Sequence, residues 1–147
     1  MSVVAEHEDV PDIIEPDDLE WFHMGGGNYV KFLRYSPKTG DYAFLTKMSK
    51  GQVRQRHRHI GTVNIYVVSG YGADWNGHTA PPGSWAYERD QALHESFTCA
   101  DDTVNLCLGR SGGVDMLDDE GNVLAEFRVD EFVRTLPDSV RAMIEQD

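Results

Sequence analysis

The stretch that decides the fold is Gly51-Gln-Val-Arg-Gln-Arg-His57-Arg-His59. Side chains alternate between the two faces of a β-strand, so His57 and His59 are predicted to share one face. Two imidazoles at this spacing can bind one metal ion, since imidazole nitrogen is a ligand of zinc, iron, copper and nickel. The same alternation predicts that the other face carries three arginines, which pair with the acidic surface or with another subunit: Arg54, Arg56 and Arg58.

A metal site needs a third protein ligand, and His94 is the best candidate downstream. It ends the segment Ser84–His94, where a returning strand can bring it alongside the first two histidines. The other histidines are predicted not to be ligands, because they lie in an acidic arm, after an aromatic pair and in a glycine-rich turn: His7, His23 and His78. An H-x-H pair also occurs by chance, so the metal-site prediction depends on the rest of the chain.

The chain has 147 residues and a formal net charge of −12. This length fits one domain with its own core. The negative charge argues against binding to nucleic acid or anionic lipid, because both would repel it. No apolar run approaches the ~18 residues of a membrane span, and the acidic N-terminus is unlike a signal peptide. We therefore predict a cytoplasmic protein whose two cysteines, Cys99 and Cys107, are buried thiols without a disulfide.

Short strands separated by turn signals make up most of the chain. Besides the histidine stretch, strands are predicted at 19–23, 29–35, 41–48, 63–69, 84–88, 97–99, 103–108, 114–117 and 123–127. Three pairs of these are predicted hairpins: 29–35 with 41–48, 97–99 with 103–108, and 114–117 with 123–127. Apolar residues then recur at helical spacing, which predicts two short helical pieces separated at Pro137. The pattern favours a β-sandwich or barrel with residues 1–18 as an acidic arm, 19–128 as the barrel and 129–147 as a helical segment.

The spacing of Gly51, His57, His59, Asn64 and Gly70 resembles the first cupin motif, G-x5-H-x-H-x3/4-E-x6-G. Pro82-Gly83 followed by His94 resembles the second motif, whose single histidine completes a metal site. The resemblance covers roughly residues 28–127. It implies an all-β cupin double-stranded β-helix, a jelly-roll barrel, whose metal ligands are His57, His59 and His94.

Several phrases are similar to the small cupin dioxygenases typified by 2,4'-dihydroxyacetophenone dioxygenase and the acetylacetone-cleaving enzyme. These are Phe32-Leu-Arg-Tyr-Ser-Pro, Arg56-His-Arg-His-Ile-Gly, Tyr87-Glu88 before His94, and Asp118-Asp-Glu-Gly-Asn. This resemblance implies a non-haem iron(II) dioxygenase. Such an enzyme uses O2 to cleave a C–C bond next to a carbonyl in a small β-dicarbonyl or hydroxyketone. Fe²⁺ is the expected cofactor, with Zn²⁺ as an alternative occupant of the isolated protein.

Two positions depart from the resembled patterns. Asn64 stands where many cupins carry a glutamate, and an amide is a poor metal ligand, so three neutral imidazoles remain. Ile65 and Trp75 stand where the acetylacetone-cleaving enzyme presents a tyrosine and an arginine. We therefore expect a more apolar substrate pocket.

Glu88 is the candidate catalytic residue. Alternation from Trp85 and Tyr87 places it on the face opposite those rings. Three roles are open for Glu88. It is a base for enolate formation, it contacts the metal or an imidazole N–H, or it is a carboxylate at the rim of the pocket that pairs with an arginine. Three aromatic residues are predicted to lie in the core rather than to clamp a substrate: Tyr66, Trp85 and Tyr87.

The predicted partners are a small carbonyl substrate and O2, with a homodimer or homotetramer as the assembly. The alternative function is a non-catalytic, zinc-binding cupin that acts as a sensor or regulatory module. A metal-dependent isomerase or hydrolase has no sequence feature in its favour.

Overall fold

The protein is described here by a computed structural model over residues 13–25, 27–71 and 78–146. Most of the chain is β-structure. The strands are β1 Phe22–Gly25, β2 Asn28–Tyr35, β3 Asp41–Met48, β4 Val53–Arg54, β5 His57–Ile60, β6 Val63–Ser69, β7 Trp85–Glu88, β8 Leu93–His94, β9 Phe97–Thr98, β10 Thr103–Arg110, β11 Gly113–Leu117 and β12 Val123–Arg128. A 3₁₀ turn, Pro16–Asp18, precedes them, and helices α1 Val129–Thr135 and α2 Asp138–Ile144 follow.

The strands form antiparallel sheets, which confirms the all-β prediction. A six-stranded sheet has the order β1-β2-β3-β10-β6-β7, a four-stranded sheet the order β12-β11-β5-β8, and β4 pairs with β9. Within the described residues, the hydrogen bonding thus divides a jelly roll into three sheets rather than closing it into one barrel. None of the described helices is long and apolar enough to cross a membrane.

Two of the three predicted hairpins are present, β2 with β3 and β11 with β12. The predicted pairing of 97–99 with 103–108 is wrong. β9 pairs with β4, whereas β10 lies between β3 and β6 in the large sheet. The Asp101-Asp102 turn therefore carries the chain from one sheet to another, a choice that depends on distant partners and not on the turn itself.

A core of aromatic and β-branched side chains fills the space enclosed by the sheets. Phe32 of β2 contacts Phe44 of β3 with ring centroids 5.1 Å apart, and both are buried. The helices cover one end of this core, where Val129, Val133 and Ile144 are almost completely buried. Burial of each such side chain stabilises the fold by roughly 1.5–3 kcal/mol.

The histidine stretch is two strands and not one. β4 and β5 belong to different sheets, and the chain bends between them at Gln55-Arg56. Backbone groups at the bend are satisfied from outside the strand: the Arg56 N–H donates to Ser96 Oγ, and the Leu117 N–H donates to the Arg56 carbonyl. Side-chain alternation therefore does not continue from Val53 to His59.

This bend makes one prediction about the arginines wrong. Arg56 and Arg58 do point away from the histidines and pair with Glu95 and Asp115, each at 3.0 Å. Arg54 instead points to the inside and lines the same cavity as the histidines. Val53, which unbroken alternation would place on the histidine face, is exposed.

The prediction that Tyr66, Trp85 and Tyr87 belong to the core is also wrong. Their side chains are 38%, 58% and 54% exposed. On β6 and β7 the inward positions are occupied by Ile65 and Glu88, so the rings lie on the outer face. The two cysteines are buried free thiols, as predicted.

Candidate metal centre

Three histidines come together where β5 and β8 pair. His57 and His59 lie on β5, and His94 of β8 lies directly opposite His57. The ring centroids form a nearly equilateral triangle, with separations of 5.3 Å (His57–His59), 5.1 Å (His57–His94) and 5.2 Å (His59–His94). All three side chains are buried, and one nitrogen from each lies within 4.8 Å of the others.

The described histidines that were predicted not to be ligands, His23 and His78, lie away from the triad. His23 packs edge-on against Tyr29, with ring centroids 5.3 Å apart, and His78 is exposed. His7 and Trp75 lie outside the described residues. Over the described ranges, the histidine triad is the group of ligand-type side chains close enough to hold a metal ion.

The surroundings keep His57 and His59 neutral. Burial lowers the pKa of His57 to about 2, and the nearby positive charge of Arg54 acts in the same direction. Burial lowers the pKa of His59 to about 4, against the opposing effect of the Glu88 carboxylate. A neutral imidazole keeps a lone pair for a metal, so the donor set fits a transition-metal ion.

Hydrogen bonds decide which nitrogens are available. His57 Nδ1 lies 2.8 Å from the Gln55 carbonyl oxygen, which only accepts, so Nδ1 carries the proton and Nε2 carries the lone pair. In His94, Nε2 lies 3.0 Å from Glu88 Oε2. The Nδ1 of His94 is buried and has no hydrogen-bond partner among the described residues. A buried nitrogen in this state is one that a bound ion would satisfy.

Glu88 is buried on β7 and contacts the triad. Its carboxylate touches His94 and raises the pKa of His59 against the effect of burial, so its charge is directed at the histidines. Two arrangements fit these contacts. Glu88 either accepts the Nε2–H of a His94 that binds the metal through Nδ1, or it lies beside an ion bound to Nε2.

A cavity opens next to the triad. Its wall is mainly apolar and aromatic, and includes Tyr42, Phe44, Ile65, Phe97 and Phe127. Ile65 therefore lies in the pocket, where an apolar wall was expected. Three polar side chains that the sequence did not single out as pocket residues also line the cavity: Asn28, Arg54 and Asn105. Arg54 could have been predicted as a pocket residue only if the bend at Gln55-Arg56 had been predicted. Neither of these residues is a turn-forming residue that would indicate a bend.

The sequence model of the ChrR cupin-like domain matches residues 9–111. The chain belongs to the ChrR cupin-like domain family. The predicted cupin fold is thereby confirmed. Among curated proteins, none matches this cupin.

Solved structures agree with this assignment. An RmlC-like cupin from Ralstonia eutropha JMP134 is 25% identical with a TM-score of 0.67, over 92% of this chain and 91% of that one. The acetylacetone dioxygenase of Acinetobacter johnsonii is 20% identical with a TM-score of 0.66, over 90% and 95%. The structure of Rhodobacter sphaeroides SigE in complex with the anti-sigma ChrR is 20% identical with a TM-score of 0.53, over 65% of this chain and 51% of that one. Likenesses of 20% show the shared fold alone, and that fold carries both catalytic and regulatory proteins.

Proposed function

We propose that this cupin is a non-haem iron(II) dioxygenase that cleaves a C–C bond adjacent to a carbonyl in a small β-dicarbonyl or hydroxyketone, using O2. The observation that carries the proposal is the buried triad of His57, His59 and His94, in contact with Glu88 and open to an apolar cavity. The structural likeness to acetylacetone dioxygenase supports this choice among cupin activities.

The donor set favours an anionic oxygen ligand. Three neutral imidazoles leave a divalent ion with both of its positive charges, and an enolate or a hydroxyketone oxygen neutralises that charge well. A bound Fe²⁺ would supply Lewis-acid activation of the carbonyl oxygens and the electron transfer to O2 that Zn²⁺ lacks.

Glu88 supplies the proton transfer. Its carboxylate is buried and lies 3.0 Å from His94 Nε2, so it stands beside the histidines at which a carbonyl compound would bind. We assign to it the removal of the proton from the carbon between the two oxygen functions, which generates the enolate. The apolar wall excludes water from this reaction and strengthens the electrostatic interactions inside it.

A second function is favoured by a specific observation. The family model is that of ChrR, and the complex of an anti-sigma ChrR shares this fold. A zinc-binding regulatory cupin needs the same three histidines. It needs neither a base nor a substrate cavity, and this chain has a buried carboxylate and a cavity beside the triad.

The deciding experiment begins with metal analysis of untagged protein purified without an affinity metal. Oxygen uptake by the iron-loaded protein is then measured with a panel of β-diketones, β-keto acids and hydroxyketones. We expect iron-dependent uptake with at least one compound and about one equivalent of cleaved product per O2. Zinc as the isolated metal, together with no uptake by the iron-loaded form across the panel, would favour the regulatory function.

A further inference from the structure

The cavity beside the triad contains a positive charge, that of Arg54, which forms no ion pair with any described residue. Arg54 extends from β4 into the cavity, and its Nη1 is buried without a hydrogen-bond partner in the part of the chain that the structure describes. The next two arginines along the chain, Arg56 and Arg58, each form an ion pair with a carboxylate at 3.0 Å, as partly buried arginines ordinarily do. Burial of an unpaired guanidinium is costly, which makes Arg54 the exception to be explained.

The charge persists despite its burial. Burial lowers the pKa of Arg54 to about 10, which leaves the side chain protonated at neutral pH. Its charge also lowers the pKa of His57 and His59, so it acts on the same space as the triad. With a divalent ion at the histidines, the ion and Arg54 would together carry three positive charges, and Glu88 beside His94 carries one negative charge. Proton transfer from a neutral substrate to Glu88 moves charge within the site and does not reduce this excess.

Two amides in the same wall are also unsatisfied. The Oδ1 atoms of Asn28 and Asn105 are buried without hydrogen-bond partners among the described residues, and both side chains line the cavity with Arg54. Buried polar groups in proteins are nearly always paired. Unpaired groups in the wall of one mostly apolar cavity are typical of a binding site. The two amide oxygens only accept hydrogen bonds and call for a hydroxyl group of the ligand, whereas the Arg54 guanidinium calls for an anion.

We propose that Arg54 is a substrate-binding residue and that the substrate carries a carboxylate in addition to its keto or enol oxygens. The inference rests on the proposed function: the keto or enol oxygens lie at the triad, and the carboxylate accepts hydrogen bonds from the Arg54 guanidinium. The planar fork of guanidinium donors matches a carboxylate, and such charge-assisted bonds are about twice as strong as neutral ones. A keto acid of this class places its apolar chain along the aromatic wall and gives the Arg54 guanidinium a counter-ion.

Binding and not turnover tests the inference. Protein loaded with Ni²⁺, which imidazoles also bind, is titrated calorimetrically in the absence of O2, so that no oxidative turnover occurs, with 3,5-dioxohexanoate and 4,6-dioxoheptanoate. These acids differ in the length of the arm that bears the carboxylate, and the methyl ester of each is its neutral control. We expect at least one acid to bind roughly 10–100-fold more tightly than its ester, the range of a charge-assisted pair.

Variants assign that preference to one side chain. Arg54→Met should abolish it, because the affinity for the acid falls to that of the ester while the ester affinity changes less than about threefold. Arg54→Lys should retain part of the preference. Arg56→Met, which removes a neighbouring guanidinium outside the cavity, should retain all of it. Circular dichroism and nickel content show whether each variant is folded and loaded.

Three results would overturn the inference: equal affinity for acid and ester in the wild type, no binding of either acid, or a preference that survives Arg54→Met. If Arg54→Met does not fold, the comparison in the wild type and Arg54→Lys still decides. Failure of the proposed function looks different. An acid preference without oxygen uptake by the iron-loaded protein leaves the ligand assignment intact, whereas uptake with neutral diketones and no acid preference overturns only the role of Arg54.

Discussion

His57 and His94 lie directly opposite each other on neighbouring antiparallel strands, with their ring centroids 5.1 Å apart. The backbone holds this register. The His59 N–H donates to the Ala92 carbonyl and the Gln91 N–H donates to the His59 carbonyl, both at 2.9 Å. The triad is therefore positioned by the backbone of the sheet.

A triad held by backbone hydrogen bonds predicts that metal and fold can be separated. His57→Ala, His59→Ala and His94→Ala should each remove most of the bound metal while the protein stays folded. Metal content and circular dichroism of the purified variants measure the two effects. His23→Ala and His78→Ala are the controls and should keep full metal content. Retention of metal by His94→Ala, or its loss from His78→Ala, would show that the third ligand is wrongly assigned.

The proposed reaction with O2 predicts that the active metal is Fe²⁺. Activity should appear with Fe²⁺ in the presence of O2, and added Zn²⁺ should inhibit because it occupies the same imidazoles. Oxygen uptake after reconstitution with each metal makes the comparison. Equal turnover with zinc and iron in the absence of O2 would instead indicate hydrolase or isomerase chemistry.

Glu88 is expected to act on the substrate. Glu88→Gln keeps the shape of the side chain and removes its basicity, so turnover should fall by roughly 10²–10⁴-fold with metal content unchanged. If Glu88 is a ligand, the variant should lose metal as a histidine variant does. Paired metal analysis and oxygen uptake on one preparation separate the two cases. An unchanged rate with unchanged metal content would contradict the catalytic role.

Asp115 is predicted to make stability depend on pH. It is buried and accepts from Arg58 at 3.0 Å and from Arg128 at 2.7 Å. Burial alone would raise the pKa of Asp115, but the two guanidiniums outweigh it and lower the pKa. Because the folded value lies below the unfolded value of about 3.9, the contribution is complete above that pH and is lost as the pH falls through the folded pKa.

Asp115→Asn should therefore lower the free energy of unfolding by about 1–3 kcal/mol at neutral pH, less than for a fully buried pair because the arginines are partly exposed. The difference from the wild type should shrink below about pH 4. Urea unfolding at both pH values measures it. Asp41→Asn, which breaks a more exposed pair with Arg110, should have a much smaller effect. A difference between wild type and Asp115→Asn that grows on acidification would contradict this assignment.

Local rules predict the features that depend on neighbouring residues. Alternation places His57 with His59 and turns Glu88 away from Trp85 and Tyr87. Turn signals locate the β2–β3 and β11–β12 hairpins, and helical spacing locates α1 and α2. The spacing of the cupin motifs then brings in His94, which no local rule connects to the other histidines.

What could not be predicted depends on long-range partners. The bend between Arg54 and His57 exists because β4 pairs with β9 while β5 pairs with β8 and β11, and no residue at the bend specifies those choices. Alternation likewise separates Tyr66 from Ile65 without saying which of them faces the core. The homodimer or homotetramer stays a prediction.

The bend has a further consequence for how such a protein changes over time. Because β4 and β5 belong to different sheets, residue 54 can be exchanged without moving the backbone that carries His57 and His59. The inferred recognition of the substrate carboxylate by Arg54 and the binding of metal by His57 and His59 thus belong to two different strands within one short stretch. A single substitution at residue 54 would then change the preference between acidic and neutral compounds and leave all three histidine ligands in place.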